Sequence, residues 1–308
     1  MSALLGAVHI AIALTMPVLL VGIVNRTKAR SAGRKGPGLA QLAWDLRRLL
    51  MKAPVYSTTS SPLFAAGAWV VLAASLLAAL VAPILGDSAP LRFDYDFILF
   101  AYALGLARLF LMLSAMDVGS AFEGMGAARE GLFTVAIEPA LFFLIGAATL
   151  ATGQASFAGL LGQWHHATSF PWLAVPAVAV LFALLQAEAA RLPVDDPQTH
   201  LELTMVHEVM LLDHSGPGLA AMQYAAALKM TIYAGLIASL VNPFDLRGNP
   251  APAVLFALVT MVGVGVAVGC VESLIARMRL RAVPGYLVLA SLTAAACLGV
   301  AGWLSRMP

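Results

Sequence analysis

Residues 188–218 read EAARLPVDDPQTHLELTMVHEVMLLDHSGPG. They hold six carboxylates (Glu188, Asp195, Asp196, Glu202, Glu208, Asp213), three histidines (His200, His207, His214) and one firm cation, Arg191. Where water is scarce, burial disfavours the charged forms of such side chains and brings proton exchange close to neutral pH. A metal site would draw on the same residue types. No His-Glu-x-x-His or other zinc-like spacing occurs, however, and His200 and His207 stand about two turns apart on a helix. We read no metal site, and take the His207-Glu208 pair as proton-exchanging or partner-contacting, with plain surface solvation as the alternative.

Further ionisable residues interrupt apolar runs elsewhere. Arg108, Glu138 and Lys229 fall well inside such runs, Glu188 and Glu272 near their ends, and Glu130 at an entrance. A charge in mid-span costs about 2.5–3.5 kcal/mol on insertion scales. Glu130 and Glu272 read either as interhelical partners or as side chains reaching water. Glu138, with Pro139 beside it to loosen the helix, and Glu188 read as members of a polar cavity, where Arg108 and Lys229 bias the protonation of their neighbours.

The elements that must position these groups are membrane helices. The 308-residue chain is 61% hydrophobic and only 11% charged, with a mean hydropathy of +0.88, whereas charged residues make up roughly a quarter of a soluble domain. Apolar runs of about twenty residues without alternation favour helices over a barrel. We count eight, at about 3–24, 63–85, 97–116, 130–152, 172–190, 219–241, 252–273 and 286–304. The expectation is an all-α integral membrane protein in a single domain over residues 1–308. The first run, with no basic residue ahead of it, reads as a retained span and not a signal peptide.

Thirteen Lys and Arg residues lie in the odd-numbered loops, eight of them in the first, against Arg92, Arg247 and Arg306 on the other side. Both termini are therefore expected outside the cytoplasmic membrane, with the odd-numbered loops in the cytoplasm. The net charge of +2 comes mostly from that basic first loop. It is explained by topology and anionic lipid headgroups, and nucleic acid is not expected as a partner. Cys270 and Cys297 both fall in expected spans, so no iron–sulfur ligand set is read, and redox metals are expected on other chains.

Two inward loops carry content. In the first, residues 25–62, Leu39, Leu42, Leu46 and Leu49 or Leu50 recur at helical spacing, with Asp45, Arg47, Arg48 and Lys52 on other faces. That segment is expected to lie along the membrane surface, as a simple anchor or as a docking element. In the acidic loop, residues 191–218, Pro193 and Pro197 break the preceding helix and Asp196 reads as a helix cap. A helix is expected from Gln198 to about Leu212.

Three segments, GRKGPGLAQLAWDLRRLLMK, GSAFEGMGAAREGLFTVAIEPA and EAARLPVDDPQTHLELTMVHEVMLLDHSGPGLA, together resemble the eight-span membrane subunit shared by complex I and the energy-converting nickel–iron hydrogenases. The resemblance runs through nearly the whole chain. Its most specific element is Glu-x-x-Arg-x-Pro-x-Asp at Glu188, Arg191, Pro193 and Asp195, supported by Gly-Ala-x-Arg ending at Arg129 and by Glu138 nine residues later. DDPQTHLELTMVHE is similar to the hydrogenase and formate hydrogenlyase branch. Pro217 and Gln223 depart from the family pattern, and neither is given a role.

The resemblance implies a membrane anchor without a catalytic centre of its own. It would dock a soluble electron-transfer arm on the first, third and fifth inward loops and couple redox chemistry to proton or sodium movement. The implied partners are hydrogenase large and small subunits, which would carry the nickel–iron centre and iron–sulfur clusters, and antiporter-like membrane subunits. On this reading Glu138, Glu188, Glu202, Glu208 and Asp213 belong to the proton-coupling path. Arg129, Arg191, Asp195 and His207 shape the chamber or dock a partner, and Arg108 and Lys229 are intramembrane charge partners. Two other readings stay open: a complex I-like subunit whose chamber receives a quinone, and a free-standing secondary ion transporter.

Overall fold

The computed structural model describes residues 3–167, 170–195, 205–246 and 248–306. Its helices in chain order are α1 (Ala3–Ser31), α2 (Gln41–Leu50), α3 (Pro62–Val81), α4 (Asp96–Asp117), α5 (Ala121–Thr152), α6 (Phe157–Gln163), α7 (Phe170–Glu188), α8 (Gly216–Val241), α9 (Pro250–Leu274) and α10 (Val283–Leu304). Among the described residues, eight of them are long and apolar enough to cross a membrane, all but α2 and α6. These are the eight runs expected from hydropathy. Two extend further than expected: α1 continues to Ser31, and α5 begins at Ala121 and not near 130. Hydropathy registers only the part of a helix that needs lipid, so the polar turns beyond it escape notice.

The helix ends are set by ordinary local chemistry. Ser61 caps α3, its hydroxyl accepting from the Leu63 amide, with Pro62 in the first turn. Gly153 ends α5 in the left-handed region at φ 67°. Pro217 occupies the first turn of α8, where its missing N–H has no helical partner to lose.

The most enclosed helix is α8, which packs against α1, α3, α7 and α9. Its small residues, among them Ala221, Ala225, Ala227, Ala234, Gly235 and Ala238, are buried and let neighbouring helices approach closely. The outer helices bury one stripe each and leave residues such as Val135, Val175, Leu255 and Leu289 exposed where lipid would lie. Two lines of contact separate the ends of the bundle. At one end the Val55 amide donates to Ser215 Oγ (2.8 Å), the Ser61 amide to Asp117 Oδ2 (2.7 Å) and the Met278 amide to the Pro193 carbonyl (3.2 Å). At the other, the Tyr95 amide donates to the Ala155 carbonyl (2.9 Å) and the Leu246 amide to Asp87 Oδ1 (3.3 Å).

The first of these ends holds the content-bearing loops. Helix α2 lies there against α1 and α8 with no buried residue, exposing Trp44, Leu50 and then Met51, Val55 and Tyr56. Of the expected helix over Gln198–Leu212, the described part, residues 205–212, does not form an α-helix. Residues 196–204, including Asp196, His200 and Glu202, lie outside the described residues. From Met205 onward the chain is irregular, with a single 3-10 turn at Glu208–Leu211. Asp195 explains the difference: its Oδ2 accepts from the Val206 amide (3.2 Å) and the His207 amide (2.8 Å). These are donors that a helix would have used on carbonyls four residues earlier.

Candidate functional site

Arg108, on α4, sits 3% exposed at the centre of a buried charge cluster. Its guanidinium donates to Glu188 Oε1 at the end of α7, lies 3.2 Å from Glu138 Oε1 and 3.7 Å from Glu130 Oε1, both on α5. Lys229 reaches across from α8 to Glu188 Oε2 at 3.5 Å. The planar five-donor guanidinium suits this hub, because it can hold several carboxylates at once. Tyr233, one helical turn beyond Lys229, buries its hydroxyl within electrostatic reach of Arg108 and Glu188, with no hydrogen-bond partner among the described residues.

Three carboxylates meet two cations in this cluster, so it is neutral only with one proton aboard. The expectation that Glu130 pairs or reaches water resolves in favour of pairing. Glu188 is 2% exposed, whereas the Glu138 side chain is 50% exposed on the flank of the bundle. A small cavity of about 80 Å³ between α4 and α5 runs beside it, lined by Tyr102, Gly105, Arg108, Glu138 and Glu188. The helix continues unbroken through Pro139.

A second cluster joins α1, α9 and the loop after α7. Glu272, its side chain fully enclosed, lies 2.9 Å from Lys28 and 3.5 Å from Arg191. It therefore pairs and does not simply reach water. Asp195 holds a third group together: besides the two amides, its Oδ1 accepts from Arg277 at 2.7 Å. Arg129 Nη1 donates to the Met205 carbonyl at 2.9 Å and so pins the start of the irregular segment against α5. Gly126 of the Gly-Ala-x-Arg motif makes that approach available, since a Cβ there would lie 2.9 Å from Met210 Cγ and closer still to Val209.

Between these clusters and the loop end lies a cavity of about 400 Å³. Its walls mix apolar groups (Val21, Leu42, Leu211) with His207, Glu208, Arg191 and Gln223. Burial, and then the Asp195 charge, push the Glu208 carboxyl up to about 7 against the opposing pull of Arg191. Burial first, and then Lys229 and Arg191, pull the His207 imidazole down to about 4. At neutral pH the cavity therefore presents a neutral imidazole next to a carboxyl poised to gain or lose a proton.

The remaining sequence-chosen residues divide. Glu202 lies outside the described residues. Asp213 has an exposed side chain, and what reaches inward is its amide, which donates to Glu123 Oε1 at 3.1 Å. Glu123 was not singled out, although it stands in the same motif segment as Arg129 and is fully buried. His214, pulled down to about 4 by burial, stacks on Phe64 with ring centroids 4.0 Å apart and lies 3.3 Å from Ser114 Oγ. Lys28 and Arg277, counted only as topogenic charges, turn out to partner buried carboxylates. Their spacing gave no sign of this, because each partner lies on a distant segment.

The family profile described as NADH dehydrogenase matches residues 4–301. The chain belongs to that family. Two relatives from Escherichia coli (strain K12) are similar: Hydrogenase-4 component C, 30% identical over 233 residues (76% of this chain, 73% of the relative), and Formate hydrogenlyase subunit 4, 27% identical over 292 residues (92% and 94%). Among solved structures, a chain of the membrane-bound sulfane sulfur reductase, an archaeal respiratory membrane complex, superposes with a TM-score of 0.80 at 22% identity. That match covers 97% of this chain and 98% of that one, and it establishes the shared fold. This member of the family is a multi-pass membrane protein, and Glu130, Glu138, Glu188, Arg191 and Asp195 of its charge clusters sit in the segments that carried the resemblance.

Proposed function

We propose that this chain is the membrane-anchor and energy-coupling subunit of a hydrogenase-type complex, related to formate hydrogenlyase. It docks a soluble electron-transfer arm and couples redox chemistry there to proton or sodium translocation. The observation that carries this reading is the ordered series of groups from the cavity to the flank. Glu208 and His207 line the cavity, Glu188 and Arg108 lie deeper, and Glu138 opens half-exposed on the side of the bundle. A carboxylate facing lipid is unfavourable, so the Glu138 flank is suited to contact with another membrane subunit. That argues against a free-standing transporter.

On this reading the nickel–iron centre and iron–sulfur clusters reside on hydrogenase large and small subunits, and antiporter-like membrane subunits cover the flank. The names of the two bacterial relatives support partners of this kind. The basic first loop and the acidic loop face the cytoplasm and both termini face outward, in keeping with the distribution of Lys and Arg. Glu138, Glu188, Glu202, Glu208 and Asp213 serve coupling, the last through its amide on Glu123. Arg129, Arg191, Asp195 and His207 shape the chamber.

A second reading rests on the cavity itself. Its volume of about 400 Å³ and its mixed walls fit a quinone-sized ring. Gentle extraction of the tagged chain from its native membrane, identification of what accompanies it and an assay for hydrogen-dependent dye reduction test the proposal. Nickel–iron and iron–sulfur subunits with that activity are expected. NADH-oxidising subunits would favour the quinone reading, and a chain that emerges alone would overturn the anchor role.

A further inference from the structure

At the end of the bundle opposite the acidic loop, three connections meet. The 3-10 turn Trp164–His166 follows α6, residues 242–249 join α8 to α9, and Asp87 of the α3–α4 connection accepts from the Leu246 amide. Here His165, His166 and Asp245 bring a potential ligand atom each within 4.8 Å of one another. His166 Nε2 and Asp245 Oδ1 are 4.0 Å apart, too far for a hydrogen bond, and the two imidazoles lie side by side with centroids 3.9 Å apart. Both ring nitrogens of His165 are buried and have no hydrogen-bond partner among the described residues. A neutral imidazole carries one donor and one acceptor, so leaving both unmet calls for an explanation.

From this geometry we propose that His165, His166 and Asp245 form a binding site for one Zn²⁺ ion that ties the α6–α7 connection to the α8–α9 connection. The donor set favours a borderline divalent ion such as Zn²⁺ over the hard cations. Two imidazole nitrogens and one carboxylate oxygen suit Zn²⁺, whereas Ca²⁺ and Mg²⁺ favour all-oxygen sets. Bonds of about 2.0–2.2 Å place neighbouring tetrahedral ligands roughly 3.4 Å apart, so donors now within 4.8 Å of one another need close by at most about 1.4 Å. The His166 and Asp245 side chains are 65% and 58% exposed and free to make that adjustment. Three protein ligands leave the fourth position to water. The site is independent of the coupling function, because it lies at the other end of the bundle. Sequence spacing gives no sign of it, because Asp245 comes from a different loop than the paired histidines.

The test uses the full chain in detergent, stripped with a chelator and titrated with ZnCl₂. Calorimetry and metal analysis should find one tight equivalent, and the unfolding midpoint should rise with Zn²⁺ concentration. His166→Ala and Asp245→Asn change exposed side chains, so the metal-free midpoint should stay put. Zn²⁺ affinity should fall by more than about 100-fold, beyond what outer-shell changes produce. In the unaltered chain, Zn²⁺ should protect His166, the exposed histidine of the pair, from carbethoxylation, read by mass spectrometry. A tight equivalent that survives when both His166 and Asp245 are replaced, or no protection of His166, would overturn the proposal.

Discussion

Replacing Glu208 with Gln isolates the proton-exchanging group of the cavity at nearly constant shape. A rise from 4.5 to about 7 corresponds to roughly 3 kcal/mol of preference for the protonated form, which partial exposure reduces to about 2 kcal/mol. Because the folded-state value is raised, the folded chain keeps a proton that the unfolded chain releases between pH 4.5 and about 7. The stability tied to that proton is fully present below 4.5 and is lost as pH rises through about 7. Glu208→Gln has no such loss. Wild type and variant should therefore unfold together in acid and separate in mild alkali, with the variant about 2 kcal/mol more stable. Thermal unfolding of the purified chain across that range, with infrared detection of the protonated carboxyl band, reads both quantities. Unfolding midpoints that track one another at every pH, or a carboxyl band that disappears near 4.5, would refute the assignment and with it the poised state of the cavity.

The other predictions concern the deeper cluster and its packing. Glu138→Gln should leave assembly and electron transfer intact while abolishing ion translocation in proteoliposomes; unchanged pumping would remove Glu138 from the path. Arg108→Met strands Glu188 with Lys229 alone and should destabilise the chain by about 3–5 kcal/mol, and Arg108→Met/Glu188→Gln should recover much of the loss. Resistance to proteolysis at rising temperature measures both, and equal damage in the single and double variants would contradict the pairing. Gly126→Val must push Val209 and Met210 off α5, at about 1–3 kcal/mol of overpacking. Co-purification of the soluble arm should fall accordingly, and full retention would mean that segment 205–211 does not serve docking.

The sequence by itself determined the membrane architecture. Lipid leaves backbone polar groups no partner but their own helix, so the length and hydropathy of each run suffice to locate a span. It also drew attention to residues that the structure brings into one cluster, since Arg108, Glu138 and Lys229 interrupt their apolar runs and Glu188 ends one, so that they stand out by type alone. Which charges meet was decided only by the tertiary structure. Arg108 gathers carboxylates from two other helices, Lys28 reaches Glu272 at the far end of the chain, and Glu138 is turned to the flank while Glu188 is enclosed. Such pairings depend on how helices rotate and pack against one another, which composition does not encode. The acidic loop shows the same limit. In its described part, from Met205 on, helical spacing gave no α-helix, because Asp195 accepts from the Val206 and His207 amides and the bare Cα of Gly126 lets Val209 and Met210 pack against α5.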